Sequence, residues 1–235
     1  RNSYGKGCSE MLDGDLGAVD GRMVYYKPGE PGERGEFQFA FAMPLQGGIS
    51  GKQHLLFNTF QPSLDWEDRD NLRVNWIQLT NLDDQIQQGT LVFYNLDGSE
   101  LGRENVRLAG GARRDFAGHK FGLNRVGLVS WEPEDTDASF QLRNVRYYYD
   151  NAFGVEKFAG AFQLEGAIGS GRGLSGPFDT GSSPGFAEGE TTGDRKSAAT
   201  VRILAANGSE RTLLRRVMPA HSSWHIIADE YLPGE

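Results

Sequence analysis

The carboxylate side chains of this sequence cluster in short polar segments, and the densest cluster has residue types that bind calcium. Asp65, Glu67, Asp68 and Asp70 lie in the predicted loop 64–71. Calcium takes about six to eight oxygen ligands from loops of this kind. The sequence therefore predicts a candidate calcium site in this loop. The alternative interpretation is a solvated acidic loop that serves solubility.

Aromatic residues suggest a second kind of chemistry, the stacking of a sugar ring or a partner side chain. Trp66 lies within the acidic loop, and Tyr147 and Tyr149 occupy alternate positions of a predicted strand. These three residues are the candidate surface for a carbohydrate or a protein partner. Aromatic residues in strands more often fill the core, and Trp76 and Trp131 are predicted to do so.

Three patterns resemble catalytic or ligand-binding motifs but lack the surroundings that their chemistry needs. Residues 171–176 match G-x-G-x-x-G, yet no helix is predicted after them to receive a phosphate. Residues 181–185 match G-x-S-x-G, yet the proline and glycine within them would stop the helix of a nucleophile elbow. His221 and His225 fall in a predicted strand, where four positions span about 13 Å, too far for one ion. The sequence thus predicts no catalytic residue, no cofactor other than calcium, and no enzyme.

Composition and charge narrow the classes of partner. The net charge is −8 with a pI near 5.1, which argues against a general nucleic-acid binder and against adhesion to anionic lipid. No apolar run approaches the roughly 20 residues that span a bilayer, so membrane insertion is not expected. Glycine accounts for 32 of 235 residues, roughly twice the usual share, which indicates many turns between short strands.

Two hairpin sequences of the chain match each other. TLVFYNLDGSE at Thr90–Glu100 and TVRILAANGSE at Thr200–Glu210 are offset by 110 positions. Upstream, Phe57–Thr59 matches Phe178–Thr180, and there the offset is 121. A domain-sized unit therefore occurs twice, and the second copy is about ten residues shorter upstream of the matched hairpin.

The shortening is expected to remove or reduce one strand of the second copy. Residues 71–79 of the first copy read as a strand whose buried side would carry Leu72, Val74 and Trp76. The corresponding residues 182–190 contain proline and glycine and are predicted to form a loop.

The matched hairpins each close on an Asx-Gly pair, Asp97-Gly98 and Asn207-Gly208. Such pairs favour tight turns in which both central residues have positive φ. Glu100 and Glu210 follow these turns and are predicted to be exposed, so they are not expected to form a catalytic pair.

These patterns predict an all-β chain of tandem antiparallel β-sandwich domains, of immunoglobulin-like or jelly-roll type. Residues 1–21 would be an N-terminal segment at the end of a preceding unit, residues 22–150 the first sandwich, and residues 151–235 a second, shortened and incomplete one. At the level of fold this resembles the tandem immunoglobulin-like domains of bacterial surface proteins.

The organisation predicts a non-catalytic structural or adhesive module of an extracellular or cell-surface repeat protein. Its partners would be a protein or glycan at the cell surface, or copies of itself that complement open strands between chains. The alternative is a pair of carbohydrate-binding modules attached to a secreted enzyme, with Trp66 and the tyrosines as the platform.

Overall fold

A computed structural model describes residues 22–28, 37–44, 47–59, 72–149, 158–168, 186–190, 195–205 and 207–227. The described chain is built from antiparallel strands, which confirms the predicted all-β sandwich. The immunoglobulin-like or jelly-roll assignment stays a prediction, and so do the division at residues 150 and 151 and the incompleteness of the second copy. The calcium loop 64–71 lies outside the described residues.

Fifteen strands and one short 3-10 helix (Gly118–Phe121) make up the regular structure of this described part. In chain order the strands are β1 (Arg22–Pro28), β2 (Phe37–Pro44), β3 (Ile49–Ser50), β4 (Gln53–Asn58), β5 (Leu72–Asn81), β6 (Gln87–Asn95), β7 (Glu100–Leu108), β8 (Arg113–Ala117), β9 (Val126–Pro133), β10 (Ser139–Tyr149), β11 (Phe158–Glu165), β12 (Phe186–Glu190), β13 (Ser197–Leu204), β14 (Glu210–Met218) and β15 (Ser223–Ile227).

Two sheets form the sandwich of the first copy. One has the strand order β11-β10-β5-β8, with β3 on the same edge of β10 as β11, and the other has the order β4-β9-β6-β7. The remaining described strands form three antiparallel pairs, β1-β2, β12-β15 and β13-β14.

The core lies between the two sheets of the sandwich. Side chains alternate along each strand, so every second residue of these strands points inward. The largest inward side chains are almost fully buried, and Trp131 packs edge-on against Phe140 with ring centroids 4.9 Å apart. The core consists of Leu55, Phe57, Ile77, Leu79, Leu91, Phe93, Val106, Leu108, Phe116, Val129, Trp131, Ala138, Phe140 and Leu142.

The predicted buried side of β5 is wrong at Trp76. Ile77 and Leu79 face the core instead, and Asn75 shares their side of the strand. Trp76 is half-buried on the opposite side of the sheet, beside Val145 of β10. Trp131, by contrast, lies in the core as predicted.

A chain of buried amides explains why an asparagine takes an inward position. Asn75 donates a hydrogen bond to the side-chain oxygen of Asn144, and Asn144 donates to the carbonyl of Leu56 at 2.7 Å. The backbone N–H of Asn58 donates to Asn75 at 3.3 Å. Asn75 and Asn144 belong to one sheet and β4 to the other, so these bonds link the two sheets. Buried amides are stable only when paired in this way.

The hairpin that the sequence predicted to be repeated is repeated in full. β6 and β7 pair from Gln87↔Leu108 to Tyr94↔Glu100, and β13 and β14 pair from Ser197↔Met218 to Leu204↔Glu210. Both pairs have a register shift at their last position, so the two hairpins match residue for residue at the offset of 110.

Both hairpins turn in the same way, but not in the way predicted. Gly98 and Gly208 have φ of 88° and 81°, whereas Asp97 and Asn207 do not have positive φ. The N–H of Gly98 donates to Asn95 O at 2.9 Å, and the N–H of Gly208 donates to Ala205 O at 2.8 Å. One residue of positive φ after a turn of this kind gives a hairpin with a glycine bulge, so only the glycine of each Asx-Gly pair is needed for its φ.

The loop predicted for residues 182–190 is wrong over Phe186–Glu190, which form β12, and residues 182–185 lie outside the described residues. β12 pairs with β15 as β5 pairs with β8, from Phe186↔Ile227 in the second copy and from Trp76↔Ala117 in the first. The strand is shorter than β5 but retained. The missing residues of the second copy therefore fall before Phe186, opposite the segment of the first copy that contains the acidic loop.

Candidate functional site

The most distinctive arrangement in the described chain lies where the sequence predicts that the first copy meets the second. β11 opens the second copy, yet it hydrogen-bonds along β10, the last strand of the first copy, from Arg143↔Glu165 to Tyr149↔Phe158. β2 and β1 pair in the same way, from Arg22↔Pro44 to Pro28↔Phe37, at an offset of 121. The hairpin β1–β2 therefore recurs as the hairpin β10–β11, which crosses the predicted boundary between the copies.

A largely buried ion pair lies at one end of the β10–β11 pairing. Arg143 Nε donates to Glu165 at 3.2 Å, and Gln163 donates to the other carboxylate oxygen. A guanidinium nitrogen of Arg143 also donates to the carbonyl of Pro44 in β2 at 3.2 Å. Strands β2, β10 and β11 thus meet at this point.

Burial is the main cause of the shifted pKa of the Glu165 carboxylate. It raises the pKa of Glu165 to about 7, because loss of water costs the charged form more than Arg143 and Gln163 return. Glu165 is therefore an acid that changes charge near neutral pH at the point where the two copies join.

A second contact joins the copies at the turn before β15. The imidazole of His221 stacks on the ring of Tyr94, with centroids 4.5 Å apart and planes 9° apart. Burial, followed by the charge of Glu132, raises the pKa of Tyr94. His221 was predicted to lie in a strand but lies in this turn with φ of 54°, where the first copy has Gly111 with φ of 67°.

Backbone contacts fix the same turn against the β6–β7 hairpin. The N–H of Ser223 donates to the carbonyl of Leu96 at 3.0 Å. A Cβ atom placed on Gly98 would lie 2.1 Å from the carbonyl oxygen of Ala220, so only glycine fits here. The turn 219–223 therefore packs against the tip of the first hairpin at Leu96 and Gly98.

The candidate ligand residues are not brought together by the described structure. Trp66, Asp65, Glu67, Asp68 and Asp70 lie outside the described residues, and so does the side chain of Tyr149. The calcium site and the carbohydrate platform therefore stay predictions.

Tyr147 is the member of the candidate platform whose side chain can be placed. It is half-buried in β10, which has β5 on one side and β11 on the other. Elsewhere in the described residues, no three or more His, Cys, Asp or Glu side chains are grouped as metal ligands. The described part also contains no helix that is long and apolar enough to span a membrane.

One feature that sequence reasoning missed is the positive charge of the second hairpin. Residues 195–227 contain six lysines and arginines and one carboxylate, although the whole chain has a net charge of −8. All six cations are exposed: Arg195, Lys196, Arg202, Arg211, Arg215 and Arg216. A charge count by segment would have found this patch, whereas the total charge hides it.

Comparisons with known proteins give no family for this chain. No protein-family description matches it, and no curated protein matches its sequence. Among solved structures, it is similar to the crystal structure of Thermotoga maritima 1070, at 10% identity and a TM-score of 0.34. The match covers 51% of this chain and 94% of that one. A likeness at this score carries no conclusion about function.

Proposed function

We propose that this chain is a non-catalytic structural or adhesive module of an extracellular or cell-surface repeat protein, in which successive copies are joined by a paired strand. The observation that carries the proposal is the pairing of β11 with β10, together with the equivalent pairing of β2 with β1. A flexible linker would leave each copy free to rotate. A strand held by a ladder of backbone hydrogen bonds restricts that rotation.

The contacts around this strand support the same function. The Arg143–Glu165 pair, the Tyr94–His221 stack and the Ser223–Leu96 hydrogen bond all connect residues of different copies. Because the contacts lie at two separate places, they oppose bending as well as twisting. A module of this kind transmits force or sets spacing, and it needs no catalytic residues.

Assembly by exchange of strands between chains belongs to the same proposal. β6 pairs on one edge with β7 and on the other with β9. The corresponding β13 pairs with β14, and among the described residues its other edge has no partner strand. An edge of this kind is able to accept a strand from another chain.

Hydrogen–deuterium exchange of the full chain tests the proposal. We expect the β11 amides that bond to β10 to exchange slowly, because they belong to the ladder that the two strands share. The exposed edge strand β7 is the internal control for a strand that is paired on a single side. If β11 exchanges as fast as an unstructured peptide while β10 stays protected, the copies are joined flexibly and the proposal fails.

A further inference from the structure

The two ends of the first sandwich differ in what covers them. At one end the β6–β7 tip is covered by the turn 219–223 of the second copy. At the other end lie the three loops 82–86, 109–112 and 134–138. Backbone hydrogen bonds hold the first loop to the second, from Gly111 N to Asp83 O at 3.1 Å, and to the residue after the third, from Leu82 N to Ser139 O at 2.9 Å. We call this second end the acidic end, because its exposed carboxylates are Asp84, Glu134, Asp135 and Asp137.

The contact between the copies joins opposite ends. The turn 219–223 corresponds, at the offset of 110, to residues 109–113 of the first copy, which belong to the acidic end or adjoin it. The second copy therefore applies this end to the hairpin tip of the first copy. Such a contact is heterologous, because the two surfaces that meet are different, and the first copy carries both of them.

Within the described chain, one hairpin tip and one acidic end take no part in this contact. The tip of the β13–β14 hairpin, residues 204–211 apart from residue 206, corresponds to the tip that the second copy covers in the first. Gly208 has the φ of Gly98, but a Cβ atom on it would have no neighbour within 4 Å. Leu204 corresponds to Tyr94 and is 43% exposed, whereas Tyr94 is 8% exposed.

The charges of the two uncovered surfaces are opposite. Arg211 lies at the hairpin tip and Arg202 two residues before it in β13, and both belong to the six cations of residues 195–227. Glu210 faces Arg202 at 3.6 Å. The acidic end has four exposed carboxylates, together with Ile86, an apolar side chain that is 52% exposed. Opposite charges around an apolar contact are typical of surfaces that recognise each other and speed their encounter.

We infer that the β13–β14 tip is a docking surface for a second copy of this chain, which binds through the acidic end of its own first sandwich. The docked chain would repeat the internal junction, with its residues 109–113 placed against Gly208 as residues 219–223 are placed against Gly98. A heterologous contact of this kind propagates, so the product is a head-to-tail filament rather than a closed dimer. The inference rests on the proposed function, because it extends the internal junction to a contact between chains.

Charge reversal on each surface tests the docking. In sedimentation velocity from low micromolar to near-millimolar concentration, the native chain should form species that grow with concentration, and added salt should shrink them. R202E/R211E and D84R/E134R/D137R should each bind themselves about tenfold more weakly or worse, since each places like charges on the two surfaces. R107E/R125E makes the same change of charge on exposed residues of the first copy and should associate as the native chain does.

A mixture gives the decisive result. R202E/R211E has two acidic surfaces. D84R/E134R/D137R has two basic ones, because three arginines then stand beside Asp135 at the former acidic end, so an equimolar mixture should restore the growing species that each variant loses alone. A native chain that stays monomeric throughout, or a mixture that does not associate, overturns the docking. Association that survives in both variants assigns it to another surface and also overturns it.

Two further readings separate the remaining outcomes. Heparin binding that is lost in R202E/R211E, with no self-association of the native chain, would assign the positive patch of residues 195–227 to a polyanion and overturn the inference. Slow exchange of the β11 amides in a chain that stays monomeric would overturn the docking and leave the proposed function intact. Fast exchange of those amides would remove the proposed function itself.

Discussion

Gly98 and Gly208 occupy the same position in two equivalent turns, but only Gly98 is covered by another part of the chain. Their φ angles are 88° and 81°, and a Cβ atom would lie 2.1 Å from Ala220 O at Gly98 and in open space at Gly208. The two residues share the backbone requirement and differ only in their neighbours. This difference allows the strength of the contact between the copies to be measured.

Gly98→Ala should destabilise the chain more than Gly208→Ala. Both substitutions place a side chain at positive φ, which costs about 1 kcal/mol in each turn. Only Gly98→Ala also separates Ala220 from the tip, and we expect this separation to lower the free energy of unfolding by a further ~1–3 kcal/mol. Chemical denaturation followed by fluorescence and circular dichroism measures both. Equal losses of stability would mean that the tip contact does not hold the copies together.

His221 can be replaced by glycine or by alanine to separate its ring from its backbone. His221→Ala loses the stack on Tyr94 and keeps the positive φ, so we expect it to lower the free energy of unfolding by about 1–2 kcal/mol. His221→Gly loses the same ring but relieves the backbone, as Gly111 does in the first copy, and should lie within about 0.5 kcal/mol of the native value. If alanine is as stable as glycine here, neither the φ nor the comparison with Gly111 explains this turn.

The stability of the junction should depend on pH through Glu165. Its pKa is about 7 in the folded chain, against an ordinary value of 4.5. Between these values the folded chain keeps a proton that the unfolded chain releases, so stability falls as the pH rises from about 4.5 to 7 and is then constant. The loss attributable to Glu165 is about 2–3 kcal/mol, since its side chain is largely buried.

Thermal unfolding at a series of pH values measures this loss. Glu165→Gln cannot ionise, and its melting temperature should therefore change less between pH 5 and pH 8 than that of the native chain. Glu104→Gln is the matched control, because it removes a carboxylate that pairs with Arg114 and Lys120 at the surface of the sandwich. A native chain that gains stability over this range would show that Glu165 is an ordinary acid paired with Arg143.

The amide link between the two sheets gives a further prediction. Asn144→Ala removes the acceptor of Asn75 and the donor to Leu56 O, and leaves the buried amide of Asn75 without this acceptor. We expect a loss of about 2–4 kcal/mol, because an unsatisfied buried polar group loses its bond to water as well. Asn105→Ala, an exposed asparagine in β7, should change stability by less than about 0.5 kcal/mol. Similar values for the two variants would show that Asn144 contributes no more than a surface residue.

Local chemistry explains which parts of the fold were predictable. The Asx-Gly-Ser-Glu turns were readable because each is fixed by its own residues. Ser99 N donates to Asp97 at 2.9 Å, and Ser209 N donates to Asn207 at 2.9 Å. β12 was missed because its glycine, at position 189, weakens the local pattern, and the pairing with β15 outweighs local preference. Asn75 was assigned outward because its partner Asn144 is distant in the sequence.

The junction was not predictable, since each of its contacts joins residues far apart in the chain. Nothing near Glu165 indicates that its carboxylate is buried, and nothing near His221 indicates Tyr94. The candidate residues Trp66, Tyr147 and Tyr149, and the carboxylates of loop 64–71, are predicted from their chemistry alone. The positive patch of residues 195–227 could have been found, because its charges are adjacent in the sequence.

The edge of β10 that pairs with β3 and β11 has a consequence for folding during synthesis. β3 of the first copy covers only Ser139 and Phe140 on that edge, while β11 covers residues from Arg143 to Tyr149. A ribosome releases β10 before β11, so the first sandwich leaves the exit tunnel with most of one strand edge bare. The strand that completes this sheet, β11, is translated only after the whole of β10 has been released.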